Sequence, residues 1–408
     1  MGEAVDYIAL SIPVFFLLIG MELLVSKLKH TKLYRFNDAI TNLSCGIGQQ
    51  VLGIFLKTVL VLFYVFIYDH FRLTTMPNGV LTWILLFIGI DFFYYWFHRL
   101  THEISVMWGS HVVHHQSEEY NLTVALRQGW VQSIFSTVFY LPLAFIGFNP
   151  VLFLTINAFQ TLYQFWIHTR TIGKLPKWFE FIFNTPSHHR VHHGVNPIYI
   201  DRNHGGTLII FDRMFGTFQE EQEEVVYGVT QQPNSWNPLW LNVEYWAWMW
   251  KTMLKSRTWK DRWKVLTKEP GWQPDYLGGA QHPKTVTPKT FHKYETQIPV
   301  SLSYYVLMQY FLVLTGTTLF LFSAENMPVY VQIAIAVLII VSVINMGAIF
   351  EKKRWVWYAE MIRLASLPVL FAVLFNMLSV MWVILAVSVL LFAVSTAWLT
   401  KYRVLFQF

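Results

Sequence analysis

The chain has 408 residues, 54% hydrophobic, 18% aromatic and only 13% charged, with a formal net charge of +6. Soluble domains carry about 25% charged residues, so this is the composition of a membrane protein, and the basic excess is read as loop charge rather than a nucleic-acid surface. A single cysteine, Cys45, excludes an internal disulfide, a cysteine-ligated iron–sulfur cluster and a cysteine-rich zinc module.

Membrane spans need about 20 mostly apolar residues. The sequence offers them at 6–26, 47–69, 79–97, 131–148 and 150–168, then at 298–323, 328–350, 355–375 and 378–400. Met1-Gly2-Glu3-Ala4 lacks the basic region of a signal peptide, so the first run is expected to be a retained span. The fourth and fifth runs are short and joined by Phe148-Asn149-Pro150, which predicts a hairpin that enters and leaves on one side.

Orientation follows from basic residues. Lys27, Lys29, Lys32 and Arg35 follow the first span, Lys352, Lys353 and Arg354 the seventh, and Lys401 and Arg403 the ninth. The alternate loops (70–78, 148–150, 324–327, 376–377) hold only Arg72. Positive-inside bias therefore predicts an outside N-terminus and a cytoplasmic C-terminus. Between the two groups of spans, residues 169–296 are polar and interleave Trp236, Trp240, Trp246, Trp248, Trp250, Trp259 and Trp263 with Lys251, Lys255, Arg257, Lys260, Arg262 and Lys264. Such a stretch suits a helix at the headgroup level, or equally the packing face of a cytosolic cap. No phosphate loop, dinucleotide fingerprint or internal repeat is present.

Histidines carry the chemistry. Residues at i, i+3 and i+4 share a helical face, so His98 projects with His102, His111 with His114 and His115, and His189 with His192 and His193. Neutral imidazole suits iron, zinc, copper or nickel. One metal needs about three or four protein ligands, and these eight exceed that, so two adjacent metals are expected. His168 ends the fifth run on the same predicted side and is a further candidate. His188 makes an i,i+4 pair with His192, so helical spacing leaves it in the set. Isolated His30, His70, His282 and His292 are read as bystanders.

Acids and amides flank these clusters. Asp91 lies inside the third span, where a carboxylate is costly, and shares a face with Tyr95, His98 and His102; it is expected to accept the second ring N–H of a ligand histidine. Glu103 is read as a bridging or outer carboxylate, or as a solvated charge. It does not complete a His-Glu-x-x-His protease motif, because position 106 is Val. Asp201, Asn203 and His204 precede Gly205-Gly206 and are candidates for outer hydrogen bonds.

Together these residues resemble the membrane fatty acid hydroxylase/sterol desaturase superfamily, whose mark is His-x3-His followed by two His-x2-His-His boxes. The resemblance runs from about Asp91 to Phe218. The strings His114–Leu122, Ala125–Gln128, Tyr163–Thr169, Asn184–Gly194 and Phe211–Phe218 are similar to the branch that cleaves the ether bond of alkylglycerols. One departure is His204, where the pattern has Tyr. The resemblance implies a di-iron site, O2 as co-substrate, hydroxylation of a lipid carbon drawn from the bilayer, and an external reductant, either a tetrahydropterin such as tetrahydrobiopterin or a partner electron carrier. It also implies an outer-shell role for Asn121, which lies in the first string.

The expected fold is all-α: a polytopic transmembrane helical protein with a cytoplasmic histidine-rich di-metal cap. Its expected divisions are N-terminal spans (1–78), a hydroxylase-like catalytic domain (79–220), a Trp-rich segment (221–296) and a C-terminal four-helix membrane region (297–408). A related fatty acid or sterol hydroxylase or desaturase, a zinc-dependent hydrolase and a metal transporter are the competing readings. A transporter would set its ligands near mid-membrane rather than at span ends.

Overall fold

The computed structural model describes residues 7–281, 286, 287, 289–374 and 381–407. Met1-Gly2-Glu3-Ala4, His282 and the expected loop at 376–377 lie outside the described residues. The described structure is helical, and among the described residues two isolated antiparallel bridges, Phe183 with Leu208 and Gly194 with Tyr227, are the strand-like pairings. Six of the described helices are long and apolar enough to cross a membrane. The chain forms two compact units, one of residues 1–233 and 240–293, the other of 234–239 and 294–408.

The first unit begins with α1 (Tyr7–Leu28), α2 (Phe36–Phe71) and α3 (Val80–Glu103). α2 is 36 residues long and starts eleven residues before the expected span. Its polar first turns (Asp38, Thr41, Asn42, Ser44) hid it from a hydropathy reading, and they are buried, with Asp38 and Asn42 bonded to the loop that follows His111–His115. α3 likewise runs past its expected end and carries His98 and His102 in its last two turns. The backbone turns extended at Ile104, and α4 (Ser105–His115) then presents the next three histidines.

α5 (Gln132–Ile146) and α6 (Pro150–Trp166), of 15 and 17 residues, form the expected short hairpin. Its turn is built locally: Gly147 takes φ +113°, open to glycine, and Asn149 caps α6 by accepting from the Val151 and Leu152 N–H groups, with Pro150 at the first helical position. Leu73 and Met76, in the α2–α3 turn, donate to the carbonyls of Phe145 and Gly147. The two turns therefore meet at one end. Tyr64, Leu86, Ile90, Tyr140, Leu143, Phe153 and Ile156 fill the core between α2, α3, α5 and α6. The opposite helix ends, bearing His98, His102 and His168, are consequently gathered together.

Three short helices follow, α7 (Lys177–Ile182), α8 (Pro186–His192) and α9 (Ile210–Phe215), and then α10 (Pro238–Lys255) and α11 (Trp259–Thr267). One side of α10 supports α4: the Tyr245 and Ser105 hydroxyls lie 2.9 Å apart and Met249 packs beside them. The other side leaves Val243, Trp250 and Leu254 exposed, and α11 exposes Trp259 and Trp263. The tryptophan segment is thus both a packing face and an exposed aromatic stripe.

The second unit contains α12 (Val300–Ser323), α13 (Val329–Phe350), α14 (Val356–Leu374) and α15 (Met381–Thr400). α14 is not among the six long apolar helices, and it carries Glu360 and Arg363, both buried. Their ion pair (2.6 Å) is enclosed by Tyr305 and Gln309 of α12 and by Ser342 and Asn345 of α13, and Gln309 donates in turn to Ser395 of α15. Sequence reading assigned no motif to these spans.

Candidate metal centre

Nine histidines from four segments converge. His98, His102, His111, His115 and His192 form one group; His114, His168, His189 and His193 form a second. Within each group one ring nitrogen per residue lies within 4.8 Å of all the others, and all nine side chains are buried. The groups adjoin, with the His115 and His193 rings stacked at 4.4 Å between centroids. Helical geometry explains the division. Consecutive residues diverge by about 100°, so α4 sends His111 and His115 to one group and His114 to the other. α8 and the residue that caps it in the same way send His192 to the first and His189 and His193 to the second.

Five of the nine rings are held by an outer nitrogen. Nδ1 of His98 meets the His204 carbonyl (2.8 Å), that of His114 the Arg127 carbonyl (2.9 Å), that of His168 the Gln164 carbonyl (2.7 Å) and that of His192 the Arg202 carbonyl (2.9 Å). His111 Nδ1 meets Gln132 Oε1 at 2.8 Å. A carbonyl oxygen only accepts, so each Nδ1 carries the proton and each Nε2 of a neutral ring presents a lone pair. Burial keeps the rings neutral: it pushes His111 and His168 down to about 4, and His114, His115, His189, His192 and His193 well below the ordinary imidazole value.

Those lone pairs point at one another. Nε2 of His98 lies 3.0 Å from Nε2 of His111, and Nε2 of His114 lies 3.2 Å from Nε2 of His168. No proton is available to bridge either pair, so the contacts are repulsive unless a cation accepts both lone pairs. His102 Nε2 and His192 Nε2 are buried with no hydrogen-bond partner, which has the same explanation. The donor set is all nitrogen, preorganised and desolvated; it fits two borderline transition metals.

The supporting frame is largely invisible in the histidine pattern. Arg127, buried, donates to the Val113 carbonyl, Asn42 and Gln116, and so fastens α4 to α2. Arg190 pairs with Glu221 at 2.7 Å and donates to the carbonyls of Thr169 and Ile172, which docks α8 beside the end of α6. Glu22, buried on α1, accepts from the Leu122 N–H at 2.8 Å and from the hydroxyls of Tyr34 and Thr169. Arg127 and Gln164 stood in the strings that carried the family resemblance, but Glu22 had no signal beyond being an acid in an apolar run.

Several expected site residues take other roles. Asp91 does not meet a histidine. Its two oxygens accept from the backbone N–H groups of Thr207 and Leu208, each at 2.8 Å. Asp212 accepts from those of His204 and Gly205, each at 2.7 Å. Together they pin the loop whose His204 carbonyl orients His98, so Asp91 acts at one remove. A Cβ at Gly206 would press on the Tyr94 ring and on Asp91, so the Gly-Gly sequence answers to close approach rather than to a left-handed turn.

Glu103 is neither bridging nor outer. It points away to solvent and pairs with Arg99 one turn back (2.8 Å). Asn121 holds loops together, donating to the Leu33 carbonyl and accepting from Thr123. Asn203, in a left-handed conformation, bonds the backbone of His188 and Gln219. Asp201 alone of these faces a cluster histidine, with Oδ1 3.5 Å from His102 Nδ1.

His188 is buried but outside both groups, with its ring edge-on to Phe218. On α8 its direction lies about 40° beyond His192, off the arc that His189, His192 and His193 share. His30, His70 and His292 are exposed, as bystanders should be.

A fatty acid hydroxylase family model matches residues 83–217, which contain every one of these nine histidines. The chain is 38% identical over 362 residues to alkylglycerol monooxygenase of Xenopus tropicalis, covering 88% of this chain and 80% of that protein. It is 42% identical over 274 residues to the Homo sapiens protein of that name, covering 67% of this chain and 61% of the relative, and 36% identical over 368 residues to the Danio rerio one, covering 88% and 81%. No solved structure matches. The chain belongs to the fatty acid hydroxylase/sterol desaturase superfamily of membrane histidine-box oxygenases of the di-iron type, with similarity to alkylglycerol monooxygenases over most of its length.

Proposed function

We propose that the chain hydroxylates the carbon beside the ether oxygen of an alkylglycerol, using O2. The observation that carries this is the pair of converging imidazole groups, in a chain 38% identical to an alkylglycerol monooxygenase over 80% of the latter's length. His98, His102, His111, His115 and His192 would hold one iron and His114, His168, His189 and His193 the other, with His188 not a ligand. Bound there, the two irons supply the redox chemistry that places one oxygen atom in a C–H bond. The other oxygen leaves as water, with two electrons and two protons drawn from an external reductant, a tetrahydropterin or an electron-carrier protein. The resulting hemiacetal breaks its C–O bond to give a fatty aldehyde and the glycerol derivative.

The protein's own residues hold and shield. Five acceptors, the carbonyls of His204, Arg127, Gln164 and Arg202 and the amide of Gln132, fix ring orientation and raise imidazole basicity. Asp91 and Asp212 keep the His204 carbonyl in place, and Asp201 steadies His102. Burial excludes bulk water from the rings.

The lipid enters from the bilayer, and the four sequence divisions at 1–78, 79–220, 221–296 and 297–408 are kept as functional regions. Basic loops put the site and segment 169–296 on the cytoplasmic face. The exposed stripe of Trp250, Leu254, Trp259 and Trp263 lies at the headgroups there. The test is O2-dependent aldehyde release from an alkylglycerol with added tetrahydropterin, beside fatty-acid and sterol substrates. Aldehyde from the ether lipid is the expected result. Product from the acyl or sterol substrate alone overturns the substrate assignment.

A further inference from the structure

His204 is the one imidazole beside the first group that the family pattern does not explain. It is wholly buried, and neither ring nitrogen makes a hydrogen bond. The Asp201 carbonyl lies beside the ring without reaching it at bonding geometry. Its ring centroid stands 5.1 Å from that of His102, 5.6 Å from His192 and 5.7 Å from His98, spacings like those within the group itself. Yet its nitrogens fall outside the mutually close set of five. The residue cannot drift away: its N–H is held by Asp212 and its carbonyl holds His98.

A buried imidazole with two unmet hydrogen-bonding groups costs stability unless something small and polar sits against it. A metal held by the five imidazoles of this group would keep room for such a molecule if it took a sixth ligand. The second group has no counterpart among the described residues. Its flanking ring, Tyr120, lies 5.2 Å from His193, but its hydroxyl is already committed to the Ile167 carbonyl.

Resting on the two-metal reading above, we propose that His204 is a positioning residue that holds a small exogenous ligand, solvent or a small anion, on the first metal over the face formed by His98, His102 and His192. The two metal positions are then inequivalent, with the first being the one where an added anion is held by the protein.

The experiment uses the full-length iron-loaded ferric protein, with azide as probe. Azide affinity is read from its charge-transfer absorption, and iron per chain is measured in parallel. His204→Phe is expected to keep two irons and bind azide about 10–100-fold more weakly, the usual size of an outer-shell loss. His204→Gln, which restores a donor, is expected to recover part of that loss. Unchanged azide affinity in an iron-replete His204→Phe protein overturns the proposal. Loss of an iron in both variants also overturns it, because His204 would then be a ligand itself. Wild-type protein without two irons refutes the underlying two-metal reading and is thereby distinguished from either result.

Discussion

Both compact units bury a polar cluster, and the two clusters are opposites. In the second unit Glu360 and Arg363 are enclosed on every side: both carboxylate oxygens and all three guanidinium nitrogens have partners, drawn from α12, α13 and α14. In the first unit five of the nine histidines are satisfied on an outer edge only, and inner lone pairs face each other, as between His98 and His111 at 3.0 Å and between His114 and His168 at 3.2 Å. A closed network needs nothing further and serves to specify packing. An open one, with like-poled acceptors converging, requires a cation. Burial alone therefore does not mark a functional site; unmet valence does.

The sharpest way to break this contrast is to remove inner nitrogens. Each of His98, His102, His111, His114, His115, His168, His189, His192 and His193 changed to Ala is expected to abolish turnover and lower bound iron. Full activity in two or more of these variants would refute the site. The closed cluster should respond through folding instead. Glu360→Leu alone leaves Arg363 buried and unpaired and is expected to cost about 3–5 kcal/mol, whereas Glu360→Leu with Arg363→Met should be close to neutral. Thermal melting separates the two, and iron per folded chain is expected to stay at two in both. Equal destabilisation by the single and double changes would contradict the reading of the pair as a packing lock.

Acid sharpens the comparison further. His111 and His168 have folded-state values near 4 against an unfolded value of 6.5. As pH falls below about 6.5 the unfolded chain takes up protons first, so metal-free protein is expected to be stable above that value. It should lose stability progressively down to about 4, by about 1.4 kcal/mol per pH unit for each such group. A metal-free melting temperature that stays flat between pH 7.5 and 5 would contradict it. The smallest effects are expected at Glu103→Gln and His188→Ala, which leave both groups intact. Iron retention in these variants should match wild type, and loss of an iron at His188→Ala would return that residue to the ligand set.

How far the sequence carried these conclusions depends on what kind of group does the work. Histidines announce themselves by spacing, so eight members of the two groups were legible at once and His168 followed from its place at a span end. Their supports were not, because four of the five Nδ1 acceptors are backbone carbonyls, which have no letter, and the fifth, the Gln132 side chain, lies in no motif. Asp91 was singled out as an acid inside an apolar run, and helical facing suggested a ligand histidine as its partner, whereas the backbone N–H groups of Thr207 and Leu208 claim it. Hydropathy found the apolar runs yet missed the polar first third of α2, whose partners lie about 80 residues away in sequence. The Glu360–Arg363 lock escaped for the same reason: its partners are scattered from Tyr305 to Asn345.

The central claim, that two metals occupy adjoining imidazole groups, is tested most directly by metal analysis with Mössbauer spectroscopy on the purified full-length protein. The account requires about two irons per chain, in two distinguishable environments because one group offers five nitrogens and the other four. One zinc per chain and no iron, after expression in iron-rich medium, would contradict it.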